Sequence, residues 1–190
     1  MLWGLTKPGR IEVIAGPMFA GKTEELLRRV RRAVIAGRRV VVIGHALDIR
    51  GGSGRLASHA GLDHPSVSAA SAADIEAAVP AGTEIVAIDE AQFFGLDLVG
   101  AASRLADRDL TVIVAGLDVT FTGQPFEPMP SLMALAERVD KLTAICSVCG
   151  AEAVFHVRVA APKAAPTEAV AEHVGGLELY QARCRRHLGG

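Results

Sequence analysis

The sequence predicts an α/β fold in which a mostly parallel sheet carries helices on both faces and is followed by a small C-terminal lobe. Three observations predict it: strongly apolar runs alternate with helical patterns, a glycine-rich loop joins the first run to the first helix, and the composition changes after Asp140. The apolar runs are residues 11–15, 39–44, 84–89 and 110–116, each bounded by turn residues or charge. Near-continuous hydrophobicity marks strands buried on both faces, the habit of parallel sheets. Between the first two runs, residues 22–36 place Leu26, Leu27, Val30, Ala33 and Val34 at helical spacing opposite Arg28, Arg29, Arg31 and Arg32, and Gly37 stops the helix. Residues 72–78 read as a short helix ahead of the third strand, and 96–106 as a longer one ahead of the fourth. Strand and helix in alternation require right-handed crossovers. From residue 141 the chain carries paired cysteines, an Ala- and Pro-rich stretch over 160–172, and a last cysteine and histidine close to the end. The expected organisation is a sheet domain over 1–140 and a small metal-stabilised lobe with a long loop in it over 141–190.

Composition limits what such a chain does. Of 190 residues, 50% are hydrophobic and 22% charged, which supplies apolar area for a packed core and excludes a disordered, solvated chain. The 20 basic and 21 acidic side chains leave a net charge of -1, with no bulk positive field to hold nucleic acid or an anionic membrane. An anionic ligand has to be caught locally. No apolar run reaches the roughly 18 residues of a membrane span, and Lys7, Arg10 and Glu12 interrupt the N-terminal segment, so the expectation is a soluble cytoplasmic protein. Three cysteines suit a reducing compartment and a metal better than a disulfide framework.

Gly16-Pro17-Met18-Phe19-Ala20-Gly21-Lys22-Thr23 fits the phosphate-binding pattern G-x-x-x-x-G-K-[ST], and it lies between a strand and a helix, where that pattern works. Its glycines let the backbone wrap phosphate oxygens, and amides at the helix start point at the anion. Lys22 then serves the β- and γ-phosphates and the Thr23 hydroxyl serves Mg²⁺. An NTPase or kinase of this type also needs an acid at the end of a neighbouring strand. Asp89 and Glu90 supply two. In continued extended geometry their side chains point to opposite sides, one toward the metal and one toward a substrate hydroxyl.

Cys146-x-x-Cys149 and Cys184-x-x-His187 are paired-ligand clips, and their four ligands fit a closed tetrahedral Cys₃His site for Zn²⁺. A redox Cys-x-x-Cys and a set of buried thiols are the competing readings; the first lacks the helix start that depresses a thiol pKa, and three thiols cannot all pair. A filled tetrahedron has no open position for catalysis, so the expected work of the metal is to pin the base of the loop between Cys149 and Cys184. Phe93, Phe94, Phe121 and Phe126 stand near the ends of predicted strands, where open α/β sheets bind ligands. They read either as core residues or as stacking partners for a planar ligand. Asp48 and Arg50, just past the second strand, are phosphate-site residues or loop charges, and His45 and His59 read as ordinary surface histidines.

In series these residues resemble one family, the tetrameric zinc-containing thymidine kinases. The likeness covers nearly the whole chain. The phosphate loop continued by Glu25-Leu-Leu-Arg-Arg, then Asp48-x-Arg50, Ser58-His59, Asp89-Glu90-Ala-Gln92-Phe93-Phe94, Leu117-Asp118-x-Thr-Phe121 and Pro125-Phe126 follow in family order. Cys146-x-x-Cys149, Val174-Gly175-Gly176, Tyr180 and Cys184-x-x-His187 complete the series. The resemblance implies a P-loop NTPase-like sheet with a zinc-ribbon-like lobe carrying a lasso loop. It implies ATP-dependent phosphorylation of the 5′-hydroxyl of thymidine, with deoxyuridine as a further substrate, in nucleotide salvage for DNA synthesis. ATP, Mg²⁺ and structural Zn²⁺, a homotetramer, and no nucleic-acid or membrane partner are implied with it. On this likeness Glu90 is the general base toward the 5′-hydroxyl. Gly16, Pro17, Met18, Phe19, Ala20, Gly21, Lys22 and Thr23 bind the nucleotide together with Asp89, Asp48 and Arg50. Phe93, Leu117, Phe121, Phe126, His156, Val174, Gly175, Gly176 and Tyr180 line the nucleoside, with Met18 nearby and the 174–180 segment closing over the base.

Three positions depart from the family pattern. Gly44 stands where relatives usually carry lysine, Val119 replaces a small or polar residue near Phe121, and His156 takes a place where many relatives have threonine beside the thymine methyl. The last bears on the choice between thymidine and deoxyuridine. The rival functions are a non-catalytic nucleotide sensor and a P-loop ATPase coupled to motion. Arg183, Arg185 and Arg186 around Cys184 support a nucleic-acid-binding version of the first, while no identified water-positioning residue supports the second.

Overall fold

A computed structural model of the chain describes residues 8–47, 55–57, 63–159 and 179–188. In chain order the elements begin β1 (Arg10–Gly16), α1 (Lys22–Ile35), β2 (Val40–His45), β3 (Arg55–Ala57), β4 (Asp63–Pro65), β5 (Val67–Ala69) and α2 (Ala72–Ala77). They continue with β6 (Ile85–Ile88), α3 (Asp97–Ala106), β7 (Thr111–Leu117), α4 (Met129–Leu135) and β8 (Arg138–Lys141). Four short strands close the chain: β9 (Ala144–Ile145), β10 (Glu152–Ala153), β11 (Phe155–Arg158) and β12 (Tyr180–Arg183). A six-stranded sheet runs β5-β2-β6-β7-β1-β8, with every neighbouring pair parallel. The four apolar runs are β1, β2, β6 and β7, its interior strands.

Alternation along these strands builds two cores. Val13 and Ala15 of β1, Val86 and Ile88 of β6, and Val112 and Val114 of β7 pack with Ile75 of α2, Leu98 and Leu105 of α3, and Met129 and Leu132 of α4. Their neighbours Ile14, Ala87, Ile113 and Ala115 point the other way, onto Leu26, Leu27 and Val30 of α1. The helices therefore cover both faces, as the sequence predicts. Each fully buried aliphatic side chain of this kind contributes roughly 1.5–3 kcal/mol.

Besides the short β3–β4 pair, β5, β8 and α4 of this sheet domain are not legible as apolar runs or helical periods. β5 and β8 are the sheet edges, and β8 reads Arg-Val-Asp-Lys with three of its four residues exposed, the charged pattern that keeps an edge from pairing with other chains. α4 has only two turns and carries a proline in its first turn.

Because all six strands run the same way, Gly16, His45, Ile88 and Leu117 lie together at the C-terminal end of the sheet. The register pairs Gly16 with Leu117, and the Asp89 amide continues the ladder to the Ile43 carbonyl at 2.9 Å. Beyond β8, the antiparallel pairs β9–β10 and β11–β12 enclose a small core of Ala144, Cys146, Ala153 and Ala182. Phe19 and Ala20 of the phosphate loop pack against it. No helix among the described residues is long and apolar enough to cross a membrane.

Candidate active site

The 16–23 loop leaves β1 through backbone that only part of its sequence tolerates. Gly16 has φ 154°, and a Cβ there would lie 2.6 Å from the Leu142 carbonyl oxygen, so the position takes no side chain. Gly21 has φ 80° and starts α1 without a side-chain cap, which leaves the first-turn amides to an anion. Lys22 Nζ donates to the Pro17 carbonyl at 2.7 Å, reaching across the loop it closes.

Thr23 Oγ1 donates to Asp89 Oδ2 at 2.8 Å, and Asp89 is 1% exposed. A hydroxyl and a carboxylate oxygen at this spacing are the hard donors that Mg²⁺ selects, so the pair fits that ion. The expectation of extended geometry through Glu90 is corrected here: Glu90 has φ 52° and ψ 43°, a left-handed turn into a 3₁₀ turn, Ala91–Phe94. A non-glycine residue held there is backbone strain of the sort that gathers at working sites. Its carboxylate accepts from Gln92 Nε2 at 2.6 Å, and Gln92 Oε1 accepts from the Leu117 amide at 2.9 Å.

Leu117 is buried at the end of β7, and the chain then folds back on itself. The Phe126 amide donates to the Asp118 carbonyl at 3.1 Å and Val119 bridges to Pro125, bringing Phe121 and Phe126 into one loop. Asp118, its side chain 4% exposed, pairs with Lys141 Nζ at 2.6 Å and ties this loop to the end of β8. His45 corrects a second expectation. It is buried and packs edge-on against Phe94 at 4.6 Å and tilted against Phe93 at 5.5 Å, with Nδ1 accepting from the Leu47 amide at 3.1 Å. Gly44 beside it has its nearest neighbour, Leu56 Cδ1, at 4.0 Å from a built Cβ, so packing does not demand glycine there.

The β11–β12 pair brings His156 and Tyr180 to the same region. His156 is fully buried with its ring 5.8 Å from that of Tyr180, and Tyr180 lies 6.3 Å from Phe121. Arg158 sits 4.2 Å over the Phe121 ring and donates to the Tyr180 hydroxyl at 3.4 Å, a cation–π link between the β11–β12 pair and the Phe121 loop that no sequence signal announces.

Cys146, Cys149, Cys184 and His187 converge, their ligand atoms all within 4.8 Å of one another. Cys149 Sγ to Cys184 Sγ is 3.8 Å, Cys184 Sγ to His187 Nδ1 is 3.4 Å and Cys146 Sγ to His187 Nδ1 is 3.7 Å. A tetrahedron of Zn–S bonds of about 2.3 Å has edges of about 3.8 Å. A disulfide would bring sulfurs to about 2.05 Å. The spacing fits zinc and excludes a bridge. The Cys184 amide, ahead of the other hydrogen bonds around it, pulls the Cys146 thiol down to about 5.

Arg158 and Lys141 are the site's neighbours that sequence reasoning passed over; Gln92 and Asp118 stand in the family series without a role of their own, and His45 reads there as a surface histidine. Asp48, Arg50, Ser58, His59, Val174, Gly175 and Gly176 lie outside the described residues.

Phosphoryl transfer needs a cradle for the triphosphate, an acid for the metal and a group to take the acceptor's proton. A chain that sets candidates for all three along the C-terminal ends of one parallel sheet belongs to the P-loop class of NTP-dependent kinases and NTPases. The sequence model described as "Thymidine kinase" matches residues 9–188. A thymidine kinase of Halobacterium salinarum is 46% identical over 184 residues, 95% of this chain and 94% of the relative. One from Deinococcus deserti is 46% identical over 189 residues, 94% of each chain. The protein belongs to the thymidine kinase family.

Proposed function

We propose that the protein transfers the γ-phosphoryl group of ATP to the 5′-hydroxyl of thymidine, releasing ADP and thymidine 5′-monophosphate, with deoxyuridine as a second substrate. The observation that carries this reading is at the end of β6. Asp89 is bonded to Thr23 of the phosphate loop, while Glu90, next in the chain, is turned out of the strand and stays partly exposed.

In this reading the loop amides and Lys22 hold the β- and γ-phosphates. Thr23 and Asp89 hold Mg²⁺, which when bound offsets the charge on the transferring phosphoryl oxygens. Phe93, Leu117, Phe121, Phe126, His156 and Tyr180 hold the nucleoside so that its 5′-oxygen meets Glu90. Glu90 accepts the hydroxyl proton as that oxygen forms its bond to the γ-phosphorus, and the bond to the β,γ-bridging oxygen breaks. Asp48 and Arg50 on the nucleotide, and Val174, Gly175 and Gly176 over the base, complete the proposal from the family resemblance.

We further propose a division of labour between residues 1–140, which bind nucleotide, and 141–190, a zinc-stabilised lobe that covers the substrate. The contact of Phe19 and Ala20 with the lobe's core supports a direct bearing of the zinc site on the phosphate loop. A cytoplasmic homotetramer is the proposed working form, supported by the resemblance and tested by sedimentation.

ADP release measured across a nucleoside panel tests the function. Turnover stimulated by thymidine or deoxyuridine is expected; ATP hydrolysis indifferent to nucleosides overturns it. Glu90→Gln is expected to keep thymidine binding and lower kcat by about 10²–10⁴-fold.

A further inference from the structure

Gln92 is 3% exposed, and its side-chain amide reaches two different elements. One end accepts from the backbone N–H of Leu117, the last residue of β7, at 2.9 Å. The other donates to Glu90 Oε2 at 2.6 Å. Glu90 requires such a hold. Its left-handed backbone, φ 52°, persists only where surroundings enforce it. Its side chain, only partly buried, has several staggered wells open to it. A donated hydrogen bond to an ionised carboxylate is short and directional, and it selects one of them.

The fold makes room for this bridge. Gly116 lies under it on β7, and a Cβ there would stand 2.9 Å from Gln92 Oε1 and 2.7 Å from Met129 Sδ. An amide is also the right chemistry. It supplies a donor to Glu90 and an acceptor to Leu117 at once, and it neither takes nor gives up a proton near neutral pH.

We infer that Gln92 is a positioning residue, locking the Glu90 carboxylate onto the β7 backbone at the point where Leu117 meets the nucleoside. The bridge sets the distance between the base and the acceptor oxygen, so that a shift of Leu117 moves Glu90 with it. This deepens the kinase reading and rests on Glu90 being the base.

The test compares wild type, Glu90→Gln, Gln92→Met and the double variant by steady-state kinetics, with thermal unfolding as a check on folding. Met fills a similar volume and cannot donate. Misplacement of a reacting group by about 1 Å costs on the order of 10²-fold, so Gln92→Met is expected to lower kcat by about 10–10²-fold with the KM values for thymidine and ATP near wild type. Once Glu90 is Gln, adding Gln92→Met should cost nothing further in kcat. A kcat unchanged by Gln92→Met, a change confined to KM or unfolding temperature, or full additivity in the double variant overturns the inference and leaves Glu90 as base. Full turnover in Glu90→Gln overturns the base assignment itself. Should Gln92→Met not fold, Gln92→Asn decides, since its shorter amide reaches only one of the two partners and the same loss of kcat is expected; if neither folds, Gln92 is a structural residue and the inference fails.

Discussion

Thr23 Oγ1 and Asp89 Oδ2 are hydrogen bonded at 2.8 Å, joining the first turn of α1 to the end of β6 across the intervening strand β7. The contact has a consequence for catalysis. Asp89 is almost fully buried, so its charge is shielded from solvent and held where the loop threonine points. Asp89→Asn keeps the shape and removes the charge. Its kcat is expected to fall by about 10²–10³-fold, the scale on which one electrostatic stabiliser matters. Thymidine affinity by calorimetry should stay near wild type, and unchanged kcat would remove Asp89 from the metal site.

The zinc prediction follows from the size of the lobe's core. Three alanines and Cys146 are the buried members of the cluster beside the four ligands, too little apolar area to hold the two ligand clips together without a further tie. Metal analysis of the purified protein is expected to give one zinc per chain. Cys184→Ala should lose it and open β9 to β12 first in hydrogen exchange, because structural zinc binding is coupled to folding. Full zinc content in that variant would show that the four ligands are wrongly grouped.

What was legible in the sequence divides along physical lines. β1, β2, β6 and β7 stand out because strands buried on both faces must be apolar throughout, and the phosphate loop and cysteine clips because their chemistry fixes spacing. Gln92 and His45 were not legible, since each takes its meaning from partners brought by tertiary structure: the Leu117 amide for one, the Phe93 and Phe94 rings for the other. Lys141 belongs with them, being an edge-strand lysine until Asp118 is placed beside it. The turn at Glu90 was hidden for another reason, because nothing in Asp-Glu-Ala-Gln signals a left-handed residue.

Glu25 gives a pH prediction. Its carboxylate takes both Arg28 and Arg29, at 2.6 Å and 2.8 Å, and Arg29 reaches on to Glu12 of β1 and Asp140 of β8. The Arg28 hydrogen bond, with Arg29 behind it, holds Glu25 at about 2 against an ordinary 4.5. A folded value below the unfolded one means that this stabilisation is complete above about 4.5 and is lost as pH falls toward 2. Urea midpoints should therefore show Glu25→Gln less stable than wild type near neutrality, with the gap closing on acidification through that window. Zinc loss in acid affects both proteins and cancels in the difference. A gap that does not change with pH would remove the carboxylate's charge as its cause.

His156 bears on which nucleoside the enzyme prefers. Its side chain is fully buried on β11, edge-on to Tyr180, in the cluster that Phe121 and Arg158 complete. The family resemblance implies threonine at this point in many relatives, beside the methyl group that separates thymine from uracil. One methyl in an apolar pocket is worth about 1–3 kcal/mol, or roughly 10–200-fold in kcat/KM. An imidazole occupies more space than threonine, and in the proposed site it would present ring nitrogens to the methyl, so most of that preference should be missing. The wild type is expected to favour thymidine over deoxyuridine by less than about tenfold, below the bottom of the range a fitted methyl pocket gives. His156→Thr should raise the ratio through kcat/KM for thymidine, with the Glu90 chemistry and the ATP KM untouched. The substitution empties volume in a buried site, so the unfolding temperature is read alongside, and the ratio between two substrates on the same folded protein is insensitive to loss of active enzyme. A strong thymidine preference in the wild type that His156→Thr does not alter would mean that the ring packs Tyr180 and never meets the base.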